Sequence, residues 1–157
     1  MKLEYEKGNI VTGNYPVFCH QVNCKGVMGA GLAKQIREKH PHVYTEYKEL
    51  CETEKDLLGH ILLSHGQGLN GRICVSMFAQ DGYGRDKRYT DYTAFINCLD
   101  ALAKQMNNYS VEGYYNTIAF PYGIGCGLAG GDWVIVQGML EDFAQKVKQR
   151  VVIVSVV

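Results

Sequence analysis

The sequence predicts an α/β sandwich with much parallel strand pairing. Three observations carry that expectation. Short β-rich runs alternate with longer segments of helical periodicity, the order that builds strand–helix–strand units. The chain closes on a continuous apolar run, Val151–Val157, typical of a central or parallel strand. No linker, repeat or composition break divides the 157 residues, so one domain spanning 1–157 is expected.

The elements follow in chain order. Val17-Phe18-Cys19-His20-Gln21-Val22 reads as a buried strand. Gly31–His40 reads as a helix ended by Pro41, because proline pushes the preceding residue out of the helical region. A short helix is expected across Val43–Cys51, with Tyr44, Tyr47 and Leu50 at helical spacing. Ile61-Leu62-Leu63 and Ile73–Phe78 read as strands around the loop Gly66–Gly71. In Thr90–Met106, residues Tyr92, Phe95, Ile96, Leu99, Leu102 and Ala103 form one helix face. Thr117–Phe120 reads as a strand stopped by Pro121, and Asp132–Val147 as a helix with Asp132 at its N-cap. Val151–Val157 is the last strand.

Composition narrows the function classes. Sixteen Lys+Arg balance 16 Asp+Glu for a formal net charge of +0. That excludes a broad basic face for nucleic-acid backbone, although Arg85, Lys87 and Arg88 form a local cluster expected to be solvated. No apolar stretch reaches the roughly 18 residues of a membrane helix, and the charged start has no signal-peptide core. The 6 cysteines contain no Cys-x-x-Cys pair. Free thiols in a cytoplasmic protein are therefore expected, with no metal and no cofactor.

Glycine is over-used, 18 of 157 residues against a usual share of about 7%. Two clusters follow predicted strands and open predicted helices. They are Asn23-Cys24-Lys25-Gly26-Val27-Met28-Gly29-Ala30-Gly31 and Tyr122-Gly123-Ile124-Gly125-Cys126-Gly127-Leu128-Ala129-Gly130-Gly131. In an open α/β sheet ligands bind at the carboxyl ends of strands. Glycine lets backbone N–H groups approach a phosphate there, and a helix N-terminus adds partial positive charge. Neither loop is a lysine-bearing P-loop, since no Gly-Lys-Ser/Thr occurs. A bulky side chain at Gly127 is expected to fill the phosphate's space and to strain a left-handed backbone.

These residues resemble the macrodomain family, an ADP-ribose-binding α/β fold. Gly8-Asn9-Ile10 looks like the family's first strand-end motif, His20–Ala33 like its first phosphate loop, and Phe120–Leu128 with Asp132-Trp133 like its second. Met28-Gly29-Ala30-Gly31-Leu32-Ala33 and Gly125-Cys126-Gly127-Leu128 are similar to the branch of terminal ADP-ribose glycohydrolases, DNA–ADP-ribosyl antitoxin glycohydrolases and the fungal-type ADP-ribose 1″-phosphate phosphatase. The resemblance implies a three-layer α/β/α sandwich with a mixed, mostly parallel sheet. It implies that Asn9 meets adenine, its carbonyl oxygen standing where many members have Asp, with Ile10 beside it among the ligand-binding residues. It places Asn23 on the distal ribose, Gly29, Ala30 and Gly31 on diphosphate and distal ribose, and Gly123, Ile124, Gly125, Cys126, Gly127 and Leu128 around the diphosphate. One departure counts against a lysine mechanism. Glycohydrolases of this branch carry a lysine after the middle strand and an aspartate after the second loop, where this chain has Phe78-Ala79-Gln80-Asp81 and Ala129.

Three other groups are candidates for acid–base or nucleophilic work: His20, whose counterpart in the fungal-type phosphatase is a histidine, Asp81 and Asp132. Each has a plainer reading, as a buried strand histidine, an Asp-Gly turn and a helix cap. Cys24 and Cys126 read as small residues beside a ligand, and Tyr83 as a cover over it or as surface packing. The expected function is ADP-ribose binding with hydrolysis of ADP-ribose 1″-phosphate or ADP-ribosyl adducts. The alternative is recognition without turnover. The expected partner is ADP-ribose or an ADP-ribosylated substrate, met by a monomer away from any membrane.

Overall fold

The computed structural model of the chain describes residues 3–66 and 68–156. Among these residues the elements are β1 (Leu3–Lys7), β2 (Val17–Asn23), α1 (Gly31–Lys39), α2 (Pro41–Thr53), β3 (Ile61–Ser64), β4 (Ile73–Gln80), α3 (Tyr92–Met106), β5 (Thr117–Pro121), α4 (Trp133–Lys146) and β6 (Arg150–Ser155). The strands form one sheet in the order β1-β6-β5-β2-β4-β3. Every neighbouring pair is parallel except β3 with β4. The sheet is therefore mixed and mostly parallel, as expected.

Strand alternation sends successive side chains to opposite faces, and each face has its own core. Val17, Cys19, Val75, Met77, Ile118, Phe120, Val151 and Ile153 pack with Phe95, Leu99, Leu102, Val136, Leu140 and Phe143 of α3 and α4. Phe18, Val22, Cys74, Phe78, Ala119, Val152 and Val154 pack with Ile36, Val43 and Tyr47 of α1 and α2. Three layers result. Among the described residues no helix is long and apolar enough to cross a membrane, and all six cysteines are free.

Several boundaries differ from the sequence expectation for local reasons. Pro41 does not merely end α1. It opens α2 at its first turn, where a missing N–H costs nothing, so α2 begins before Val43. Helix α3 starts at Tyr92 rather than Thr90, because the Asp91 side chain accepts from Ala94 N at 2.9 Å and caps it. Strand β4 runs on to Gln80, and β6 ends at Ser155. Val156 lies beyond the strand, and the last residue of the expected run, Val157, lies outside the described residues. So does residue 67 of the expected 66–71 loop.

Strand β1 has no apolar-run signal, since its side chains are mostly exposed, and only the resemblance of Gly8-Asn9-Ile10 to a strand-end motif pointed to it. It is held in register by β6, Leu3 opposite Val151 through Lys7 opposite Ser155. Arg150 adds ion pairs to Glu4 at 2.8 Å and Glu6 at 2.9 Å. Because β1, β2, β4, β5 and β6 all run the same way, the segments that follow them gather at one edge of the sheet.

Candidate functional site

A groove crosses that carboxyl edge as three adjoining cavities. The middle one, about 230 Å³, lies between His20 and Gly31 on one side and Pro121–Gly125 with Gly127 on the other. It shares Gln21, Ala30, Ala33, Gln80, Leu128 and Ala129 with a second cavity of about 350 Å³ that reaches Asn23, Tyr83 and Arg85. It shares Leu32, Pro121 and Tyr122 with a third, of about 460 Å³, that reaches Asn9, Ile10 and Val154.

The first glycine loop is built around Asn23. The Asn23 side chain donates to Val27 O at 2.8 Å, and its Oδ1 accepts from Lys25 N at 2.9 Å. The buried Tyr47 hydroxyl, from α2, stands 2.7 Å from Asn23 O and 2.8 Å from its Oδ1. The same hydroxyl accepts from Gly26 N and Val27 N. Burial pushes the Tyr47 hydroxyl pKa up, so it stays protonated and keeps both roles. The amides of Cys24 to Val27 are thus satisfied. Those of Met28, Gly29 and Ala30 have no acceptor among the described residues. Helix α1 then begins at Gly31, φ +58°, with no side-chain cap. Its N-terminus is left open, the arrangement that favours an anion.

The second loop repeats that logic by other means. Ile124, Cys126, Gly130 and Gly131 donate to carbonyls within residues 121–127. Gly127, Leu128 and Ala129, three consecutive amides on the groove wall, have no acceptor among the described residues. Gly29, Ala30, Gly127 and Leu128 are exposed at the groove, so their amides are free to donate to an anionic ligand there. The loop is fixed from beneath. Thr90 Oγ1 donates to Gly125 O at 2.6 Å, and Gln21 Nε2 donates to both Thr90 Oγ1 and Gln80 Oε1 at 2.9 Å. Gly125 sits at φ +74°, and a Cβ there would lie 2.7 Å from Gln21 Oε1. Gly127 differs from the expectation. It is outside the left-handed region, and a Cβ there meets nothing within 4 Å. Its glycine leaves room rather than relieving strain.

The expected functional residues fall as follows. Asn9 and Ile10 line the third cavity. The Asn9 oxygen, however, already accepts from Val11 N at 2.9 Å and Thr12 N at 3.2 Å, closing a turn. Asn23 lines the second cavity as a scaffold with both ends of its amide engaged. Gly29, Ala30, Gly31, Gly123, Ile124, Gly125, Gly127 and Leu128 all border the groove. Cys126 does not; its Sγ points back to Ile124 O at 3.4 Å, and burial raises its pKa to about 11.

The structure does not bring the three acid–base candidates together. The His20 ring is 1% exposed, with Nε2 2.9 Å from Ser76 Oγ and Nδ1 unpaired. Burial lowers its pKa to about 3, so at neutral pH it is uncharged and cannot serve as an imidazolium acid. Asp81 is exposed, 3.6 Å from Lys25 Nζ, and borders none of the three cavities. Asp132 caps α4, accepting from Val134 N at 2.9 Å. Helix α4 is thus closed by its own carboxylate, as its N-cap reading expected, while α1 offers its N-terminus to the groove.

Sequence reasoning missed Gln21, Gln80, Thr90 and the loop-holding role of Tyr47. A polar residue ending an apolar strand run was the available signal for the two glutamines. No local signal marked Thr90 or Tyr47, which act across 35 and 24 residues of chain. Among the described residues no three His, Cys, Asp or Glu side chains cluster as a metal site.

Comparison with known proteins finds relatives of the chain. The chain is 32% identical to the ADP-ribose 1″-phosphate phosphatase of Candida glabrata over 67% of this chain and 64% of that one. It is 30% identical to the Saccharomyces cerevisiae protein of the same name over 90% of this chain and 93% of that one. It is 26% identical to the DNA ADP-ribosyl glycohydrolase of Mycobacterium tuberculosis, over 92% of this chain but 39% of that one. Thermosipho africanus DarTG in complex with ADP-ribose shares the fold, with a TM-score of 0.82 at 21% identity over 98% of this chain and 41% of that one. The Macro domain model matches residues 19–140, a span that contains both glycine loops and the strands beneath them, and on that match the chain belongs to the Macro domain family.

Proposed function

We propose that this protein binds ADP-ribose along the groove and hydrolyses a bond at the anomeric carbon of its distal ribose. The observation that carries the binding is that two glycine-loop runs with unpartnered amides, Gly29–Ala30 and Gly127–Ala129, border the same groove. A diphosphate fits between them. Adenine then lies over Asn9 and Ile10, and the distal ribose enters the cavity of Gln21, Gln80 and Tyr83. Adenine recognition falls to backbone and shape as much as to the Asn9 oxygen, which is already twice engaged. Hydrolysis is supported by the relatives named as a phosphatase and as a glycohydrolase. Of the candidates His20, Asp81 and Asp132, His20 alone lines the groove, and as a neutral ring it is proposed to accept rather than donate a proton. The protein acts as one domain and as a monomer, since one chain supplies both walls. A cytoplasmic setting suits its six free thiols.

A second reading, recognition without turnover, is favoured by one observation: among the described residues no lysine or carboxylate lines the distal cavity. Calorimetry with ADP-ribose tests the binding. Incubation with ADP-ribose 1″-phosphate, ADP-ribosylated protein and ADP-ribosylated DNA, followed for product, separates the readings. Binding with no product from any substrate leaves the recognition module.

A further inference from the structure

The distal cavity carries one cation and no anion. Among the described residues that line it, Arg85 alone is charged at neutral pH; the other polar groups are the amides of Gln21, Asn23 and Gln80 and the Tyr83 hydroxyl. Every neighbouring charge has a contact elsewhere. Lys25 faces Asp81 at 3.6 Å, Asp86 accepts from the Tyr89 hydroxyl at 2.6 Å, Lys87 lies over the Tyr89 ring and Arg88 over the Tyr92 ring. Arg85 has no hydrogen bond, ion pair or ring contact among the described residues. An unpaired guanidinium beside a groove that holds a diphosphate suits a further anionic oxygen cluster, because its planar fork matches phosphate.

The loop holding Arg85 is anchored on both sides. Gln80 Nε2 donates to Gly82 O at 2.8 Å. Tyr89 N and Thr90 N both donate to Ala129 O, at 2.8 and 3.2 Å. Gly84, at φ +146°, is packed so closely that a Cβ would lie 2.8 Å from Asp86 Oδ1. The Arg85 backbone is therefore fixed at the mouth of the cavity and tied to the second glycine loop.

We propose that Arg85 is a specificity-determining residue that receives a phosphomonoester on the distal ribose, so that the groove prefers ADP-ribose 1″-phosphate over ADP-ribose. The proposal rests on the binding reading above and adds the terminal group. No carboxylate among the described residues lines the cavity, and the nearby Asp81 and Asp86 face Lys25 and Tyr89.

The test compares affinity for ADP-ribose with affinity for a non-hydrolysable phosphonate analogue of ADP-ribose 1″-phosphate. It uses the full chain and the variants Arg85→Ala, Arg85→Lys and Lys87→Ala. The wild type should bind the phosphonate roughly tenfold more tightly, the scale of a charge-assisted contact. Arg85→Ala should erase that preference while keeping ADP-ribose affinity. Arg85→Lys should keep part of it, and Lys87→Ala all of it. Equal affinity of the wild type for both ligands overturns the role of Arg85 and leaves ADP-ribose binding standing. So does an Arg85→Ala variant that weakens both ligands by one factor. Failure of the wild type to bind either ligand overturns the binding reading and this proposal with it.

Discussion

Gly125 and Gly127 stand two residues apart and are glycine for opposite reasons. Gly125 needs its left-handed backbone and the space taken by Gln21. Gly125→Ala should therefore lower stability by about 1–3 kcal/mol, read as a fall in Tm without ligand. Gly127 has ordinary backbone and open space above it. Gly127→Val should keep the Tm of the free protein and abolish the shift given by ADP-ribose, because its branches enter the cradle. A normal ligand shift in that variant would remove the second loop from the binding site. His20 yields a pH dependence. Its folded ring stays neutral down to about pH 3, while an unfolded histidine takes a proton near pH 6.5. Between these values acid favours the unfolded chain. Stability is thus full above about pH 6.5 and falls as pH drops toward 3, and burial lowers the pKa of His40 in the same sense. His20→Gln should flatten the loss of Tm between pH 7 and pH 5; an unchanged slope would contradict the buried neutral ring.

At the scale of elements, α2 never touches the groove and yet shapes it. Tyr47 reaches from α2 to accept from Gly26 N and Val27 N and to donate its one hydroxyl hydrogen to Asn23. Tyr47→Phe removes the acceptor of Gly26 N and the shorter of two acceptors of Val27 N, while Asn23 Oδ1 keeps its bond from Lys25 N, and should cost about 1–3 kcal/mol. It should also weaken ADP-ribose binding by loosening Met28–Ala30, whose amides stay free only while the rest of the loop is held. Calorimetry on the variant reads both effects together; lost stability with unchanged affinity would show that the loop's shape does not depend on α2. The caps divide in the same way. Asp91 and Asp132 close α3 and α4 with their side chains, whereas α1 has none. Asp132→Ala should lower stability by about 0.5–2 kcal/mol as a lost cap. If turnover also drops a hundredfold or more at unchanged ADP-ribose affinity, Asp132 is in addition an acid–base group.

At the scale of the whole molecule, ligand and fold are linked by mass action. ADP-ribose at about 100 times its dissociation constant should add roughly 2.7 kcal/mol to unfolding, and a folded protein with no shift would refute the binding. Among the described residues no lysine lines the distal cavity to form a Schiff base with the ribose. Borohydride added during incubation with substrate should therefore trap no protein–ribose adduct, and mass spectrometry of the treated chain checks it. Parallel pairing gathers the site from distant segments: Gly8–Ile10 follows the edge strand β1, while Thr90 and Gly125 bond to each other across 35 residues.

The sequence by itself determined the α/β class, the core strands and helices, and both glycine loops, because apolar periodicity and glycine clusters are local signals. By those signals it did not reveal β1, whose side chains are mostly exposed and whose place depends on pairing with β6 and on Arg150 meeting Glu4 and Glu6. Nor could it separate Gly125 from Gly127, since only the neighbour that folding places against each one decides which is strained. The same holds for part of the candidate chemistry. His, Asp and Asn can be read off as residue types able to act on a ligand. Burial then made His20 neutral, a helix end took up Asp132, and a turn took up the Asn9 oxygen. Asp132 and the Asn9 oxygen are taken up by amides two residues on, a local contact, whereas tertiary structure alone decided His20, because its charge state depends on the residues packed around it, Ser76 among them from 56 positions away.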